Sequence, residues 1–275
     1  MCGIAGFYDY GRHINPDHMV PLLTHMTRLM TRRGPDGSGV FACRESGVAL
    51  GHRRLAVVDL TEAGHQPMTS SCGRFVLTYN GEVFNGDDIR QQLAGRSITF
   101  RGHSDTETIV EAIAAWGVLG ATEKLIGMFA FAVWDKEKRS LSLVRDRLGI
   151  KPLYTAHTPK GFVFGSEMAP LYAHPAIDPD LDPMAVASFL RFGYVGAPQS
   201  IDRIIRKQKP GTIQTIDSMG RMRLETYWSV DRMGAQTKEK ADEWALSDGE
   251  TIDQVHDLLI DAVKRRMVAD VPLGA

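Results

Sequence analysis

An apolar, glycine-punctuated run begins at the very start of this chain. Gly3-Ile4-Ala5-Gly6-Phe7-Tyr8 reads as a short buried strand, with Cys2 immediately ahead of it. Asn15-Pro16 marks a helix start, and Met19, Leu22, Leu23, Met26, Leu29 and Met30 follow at helical spacing. The turn-rich stretch Arg32 to Gly39 ends that helix. Strand-like runs are expected at Val48–Gly51, Leu55–Val58 and Arg74–Tyr79, then at Met128–Trp134, Ser140–Val144 and Phe162–Gly165. Ser104-Asp105-Thr106-Glu107 has the pattern of a capping box, opening a helix that ends near Gly117. Pro183 to Gly211 reads as helix and loop. Arg232 to Asp248 is charged and weakly apolar, the composition of a linker, and Ile252, Val255, Leu259, Ala262, Val263 and Met267 mark one last amphipathic helix. Strands and helices intermingle without regular βαβ alternation, which favours a layered mixed fold over a doubly wound one.

With 275 residues, 43% of them hydrophobic, the chain can bury a sizeable core in one or two domains. Thirty-two Lys and Arg face 33 Asp and Glu, a formal net charge of −1, so neither nucleic acid nor an acidic membrane finds an electrostatic footing. No stretch has the length of a membrane span or the layout of a signal peptide. Cys2, Cys43 and Cys72 form no CxxC pair and no disulfide framework, so a reduced, cytoplasmic setting is expected. His52, His65 and His103 lack ligand spacing; they are read as structural, and no metal is implied.

A cysteine at position 2 has one chemical opportunity. Removal of Met1 would free the residue's own α-amine, whose pKa of roughly 7.7–8.0 leaves part of it unprotonated near neutrality. That amine can take the thiol proton and act as general base without a histidine. The competing reading is a small buried hydrophobe. The other candidates have plain readings too. Asn80-Gly81 could be a hairpin turn, Asp105 a helix-start residue, and Arg54 a surface cation. The Arg33-Gly34-Pro35-Asp36-Gly37 stretch lacks the GK[ST] ending of a phosphate loop and is taken as a flexible flap near Cys2.

The ordered set of blocks decides between these readings. Cys2-Gly3-Ile4-Ala5-Gly6, Arg33-Gly34-Pro35-Asp36, His52 to Asp59, Tyr79 to Asn85, Ser104 to Glu107 and Gly127 to Phe131 resemble the class II glutamine amidotransferase domain. This is the N-terminal-nucleophile hydrolase domain that opens asparagine synthetase B-type enzymes. Arg145 to Tyr154 and Phe164 to Met168 look similar too, so the resemblance covers almost the whole chain. It implies an α+β fold, a four-layer αββα sandwich over residues 1–228, followed by a linker and an orphan helix over 229–275. It implies that Cys2 attacks the side-chain amide of glutamine, forming a glutamyl thioester and releasing ammonia. The Asn80 side chain and the Gly81 N–H match the oxyanion donors. Arg54 matches the clamp on the substrate α-carboxylate, a planar pairing that suits Arg over Lys. Asp105 and Glu82 match groups near the α-amine, and backbone groups of Leu55, Ala56, Val57 and Val58 are expected to line the same pocket.

The resemblance also implies what should follow. In such enzymes a second domain uses ATP and Mg to activate the amide acceptor, signalled by a serine-glycine-glycine-x-aspartate-serine loop. Asp270-Val271-Pro272-Leu273-Gly274-Ala275 resembles the lead-in to that loop, and Thr251 to Met267 the first helix of that domain. The expectation is therefore a chain that needs no cofactor of its own and passes ammonia to a synthetase domain, in cis or on a separate chain; a homodimer is also compatible. Ala169 stands where such chains often have lysine after the Ser-Glu-Met run, and relatives with surface-polysaccharide or exosortase-linked acceptors share these blocks. A non-catalytic glutamine-binding fragment is a third reading, and a sugar-phosphate or phosphoribosyl amidotransferase is opposed by Gly193 to Pro198.

Overall fold

The structure is a computed structural model and describes residues 1–96, 98–239 and 247–272. Numbered along the chain, the strands are β1 (Gly3–Tyr8), β2 (Gly37–Cys43), β3 (Val48–Arg54), β4 (Met68–Thr69), β5 (Phe75–Val83) and β6 (Gly127–Asp135). β7 (Ser140–Arg145), β8 (Tyr154–Thr158), β9 (Gly161–Gly165), β10 (Arg206–Lys207), β11 (Thr212–Ile216) and β12 (Met222–Thr226) complete them. The helices are α1 (Met19–Arg28), α2 (Gly86–Leu93), α3 (Asp105–Lys124), α4 (Met168–Tyr172), α5 (Pro183–Phe192), α6 (Val230–Glu239) and α7 (Asp248–Arg265). Two antiparallel six-stranded sheets result, ordered β10-β8-β9-β1-β3-β2 and β12-β11-β7-β6-β5-β4.

Strand parity explains why the sheets stack. In β1, Ile4 and Tyr8 join Val48, Leu50, Val76 and Trp134 in the apolar layer between the sheets. Ala5 and Phe7 point the other way and pack with Met19, Leu23, Met26 and Met30 of α1 and the turn after it. The second sheet repeats the arrangement: Leu77, Tyr79, Phe129, Phe131 and Val133 pack on Ile109 and Ile113 of α3. Both faces of both sheets are covered, so the central strands read as continuous apolar runs although they are antiparallel. The fold is thus the expected αββα sandwich of the α+β class.

Several local expectations are corrected. β3 runs on to Arg54, and Leu55–Val58 leaves the sheet as a loop. Asn80 and Gly81 lie inside β5, opposite Ala130 and Phe129, and form no turn. α3 continues past Gly117, where the backbone takes φ 75°, ψ 170° and kinks the helix. The Ser104 hydroxyl caps α3 by accepting from the Glu107 N–H, but the Glu107 carboxylate accepts from the backbone of Arg101 and Gly102 instead of closing the box. The expected linker begins as α6; residues 240–246, and 273–275 at the end of the expected lead-in, lie outside the described residues.

Candidate active site

Period-two alternation also builds the site. Cys2 precedes β1 with the parity of Ile4, and Arg54 closes β3 with the parity of Val48 and Leu50, residues that face the gap between the sheets. Asn80 shares the parity of Val76 and of Thr78, whose hydroxyl reaches across to the Gly51 carbonyl of the first sheet (3.2 Å). Carried one residue beyond Gly3↔Arg53, the β1–β3 register sets Cys2 opposite Arg54. Three strands thus deliver three functional groups to one end of the inter-sheet gap. A cavity opens there, lined by Met1, Cys2, Arg54, Asn80, Gly81, Glu82 and Asp105, with Leu55, Val57 and Val58 on its rim. Ala56 does not line it; its N–H donates to the Asp36 carboxylate (2.9 Å).

The thiol is half-buried and sits against the Leu55 backbone. The Leu55 N–H donates to Sγ (3.4 Å), and the S–H faces the Leu55 carbonyl (3.5 Å). Burial pushes the Cys2 thiol up; the Leu55 N–H, the chain's terminal charge, Arg54 and Lys151 oppose that rise. The terminal amine, here on Met1, is lowered by burial first and by Arg33 and Lys151 as well. Arg33 fixes the residue from outside, donating from Nε to the Cys2 carbonyl (2.9 Å) while pairing with Glu167 (3.1 Å). The Arg33–Asp36 stretch is therefore bonded in place: Arg53 Nε donates to the Gly34 carbonyl, and the Asp36 N–H to the Arg54 carbonyl. The stretch expected to be a flap near Cys2 thus contacts Cys2 and the end of β3.

Asn80 is 1% exposed, and its Nδ2 is buried without a hydrogen-bond partner. Such a donor costs roughly 1–3 kcal/mol when left unpaired, so an acceptor at this point of the cavity is energetically called for. Gly81 has no room for a side chain: a Cβ would lie 2.3 Å from the Met128 carbonyl oxygen. Arg54 donates to the carbonyls of Thr61 and Asp59, which aims its guanidinium along the cavity wall. Asp105 accepts from the Val83 N–H (2.9 Å) and the Tyr79 hydroxyl (3.2 Å), and burial raises its carboxyl to about 6. Beyond opening α3, Asp105 therefore presents a carboxylate to the cavity beside Glu82.

Two further cavity residues carry no local sequence signal. Gln66 bridges two layers, accepting from the Tyr79 N–H (2.7 Å) and donating to Thr106 Oγ1 (2.9 Å). Lys151 is 7% exposed and lies in the Arg145–Tyr154 block, where only the Asp146-x-x-Gly149 turn residues hint at a built loop. Of the histidines, His52 is buried and pushed down to about 3, and His103 meets Asp270 at 2.7 Å. No group of three or more His, Cys, Asp or Glu among the described residues could hold a metal ion, and no described helix is long and apolar enough to cross a membrane.

Known proteins resemble this chain in sequence and in fold. A family model described as "Glutamine amidotransferase domain" matches residues 1–228. "Asparagine synthetase [glutamine-hydrolyzing] 3" of Bacillus subtilis is 35% identical over 276 residues, covering 99% of this chain and 42% of its own length. "Amidase chry2" of Gibberella zeae is 30% identical over 282 residues, covering 100% of this chain and 40% of its own. The chain thus spans about two fifths of the length of these relatives. Among solved structures, the glutamine phosphoribosylpyrophosphate amidotransferase of B. subtilis superposes with a TM-score of 0.58 at 19% identity, over 82% of this chain and 49% of that one, which shows a shared fold.

Proposed function

Because the chain belongs to the glutamine amidotransferase domain family, we propose that its cavity hydrolyses glutamine to glutamate and ammonia through a thioester on Cys2. The observation that carries this is the pairing, in one cavity, of a thiol with a buried amide donor that lacks a partner. Once Met1 is removed, the Cys2 amine takes the Sγ proton as sulfur attacks the side-chain amide carbon. The carbonyl oxygen becomes an oxyanion, which Asn80 Nδ2 and the Gly81 N–H stabilise. The amine then returns the proton to the departing nitrogen, ammonia leaves, and water cleaves the thioester. Arg54 holds the substrate α-carboxylate; Asp105 and Glu82 receive its α-ammonium.

The acceptor is read from the relatives. Several are named glutamine-hydrolysing asparagine synthetases, and they extend well beyond the matched span. We assign the ammonia to an ATP-dependent amide-forming domain, with asparagine as its product, and residues 229–275 to the connection with that domain. The similarity to a relative named an amidase supports a second reading, in which amide hydrolysis here does not feed asparagine formation.

The test joins intact-mass measurement to a glutamate-release assay. Wild type should lack Met1 and release glutamate. Cys2→Ala should release none, and Asn80→Ala should lose about 10²–10³ in kcat. Full activity with Met1 retained, or an active Cys2→Ala variant, rules the mechanism out.

A further inference from the structure

Lys151 is a charged cavity residue that the proposed reaction leaves without a task. Its surroundings are built with unusual care. Asp146, 1% exposed, accepts from the backbone N–H groups of Leu148 (3.1 Å), Ile150 (2.9 Å) and Lys151 (2.9 Å), folding residues 146–151 around one carboxylate. Arg145, also buried, donates to the carbonyls of Lys151 (2.9 Å) and Gly149 (2.8 Å). Both peptide groups of Lys151 are thereby fixed, yet none of the described hydrogen bonds or ion pairs is made by its ammonium group. An unpaired ammonium in the cavity wall is free to meet an anion that forms there later.

Its position in the cavity says which anion. Lys151 lines the same cavity as Cys2 and Met1, and its charge favours the thiolate and lowers the terminal amine. The remaining charged groups around the sulfur are Arg54, Arg33 and Asp36; Tyr79, Glu82 and Asp105 complete the titratable cavity wall. The geometry points to Lys151 as a positioning residue that stabilises the Cys2 sulfur as it becomes the anionic, attacking form. The ammonium does this without touching the proton, which still passes from Sγ to the α-amine. A cation there helps twice, since it favours both the thiolate and the unprotonated base. The inference rests on the reading of Cys2 as nucleophile.

The test follows thiol chemistry as well as turnover. Cys43 and Cys72 are replaced by Ser, so that iodoacetamide reports Cys2 alone, in protein shown by mass to lack Met1. In Lys151→Met the alkylation midpoint should move up by about one pH unit and the rate at pH 7 fall about tenfold, with most of the change reversed in Lys151→Arg. Lys151→Gln gives the same reading should the Met variant fail to melt as wild type does. An unchanged midpoint in either folded variant overturns the proposal, as does a raised glutamine KM with unaltered alkylation. A wild type that alkylates readily at low pH but releases no glutamate would instead sink the glutaminase reading and leave the lysine's effect on sulfur standing.

Discussion

The sandwich and α7 make an instructive pair, because each carries strong helix or strand signals but only one buries its apolar face. In the sandwich, Trp134 is 0% exposed, packs edge-on against Tyr8 at 5.1 Å, and belongs to one of three continuous apolar layers. α7 has a complete capping box, with Ser247 and Glu250 each bonded to the other's backbone, and acidic residues in its first turn and basic ones in its last. Yet Leu259 is 61% exposed, and Ile252, Val255, Leu258 and Val263 stand in solvent beside it. What ties this segment to the sandwich is polar: Arg265 pairs with Asp88, and Asp270 accepts from the Asp59 N–H while its own N–H donates to the Val57 carbonyl. Local propensity can specify a helix; burial decides how much of the fold depends on it.

The contrast can be broken by measurement. Trp134→Ala, in the inter-sheet layer, should cost about 3–5 kcal/mol, read as a fall in the denaturant midpoint. A loss below 1 kcal/mol would mean that the layer between the sheets is not what holds the sandwich together.

Charge sharpens the same comparison. Glu250 on α7 is held below the usual carboxylate range by its bonds to Ser247, whereas burial raises Asp105 to about 6. The sign for Asp105 follows from its raised value. Between about 4 and 6 the folded state keeps a proton that the unfolded chain, with an aspartate near ~3.9, has already lost. Ionising Asp105 therefore costs stability as pH rises through that window. Its value as a partner for an ammonium runs the opposite way, vanishing as pH falls below about 6. Glutamine KM should rise about tenfold per pH unit below that point in wild type, while Asp105→Asn should show a high KM with the dependence removed. A wild-type KM flat from pH 5 to 8 would exclude Asp105 as the ammonium's partner.

The smallest effect belongs to the exposed helix. Leu259→Ala should change the stability of this chain by no more than about 0.5 kcal/mol. A loss of several times that amount in the same titration would show that α7 is buried in solution, for instance by a second copy.

Much of this was legible in the residues, and the failures have physical causes. β1, the helix face of α1 and the Ser104 cap were readable because burial on a period of 2 or 3.6 leaves a pattern. Asn80-Gly81 misleads because the same dipeptide suits a tight turn and a close crossing of strands, and only the Met128 carbonyl distinguishes the two. β12 escapes because Met222 to Thr226 is an edge strand with exposed, mixed side chains. Cys2, Arg54, Asn80 and Asp105 were named from the ordered motifs, and the fold gathers them. Gln66 and Lys151 were not: Gln66 is placed by bonds to Tyr79 and Thr106, far along the chain, and the local loop around Asp146 that fixes Lys151 does not show that its side chain enters the cavity.

The shared parity of Cys2, Arg54 and Asn80 has a genetic consequence. Substitutions on the outward positions of these strands leave the three groups aimed where they are. A single inserted or deleted codon between Cys2 and Ile4, or near the end of β3, would swing one of them onto the helix-covered side. Drifting lineages of this domain should thus keep the number of residues between Cys2 and Tyr8 fixed.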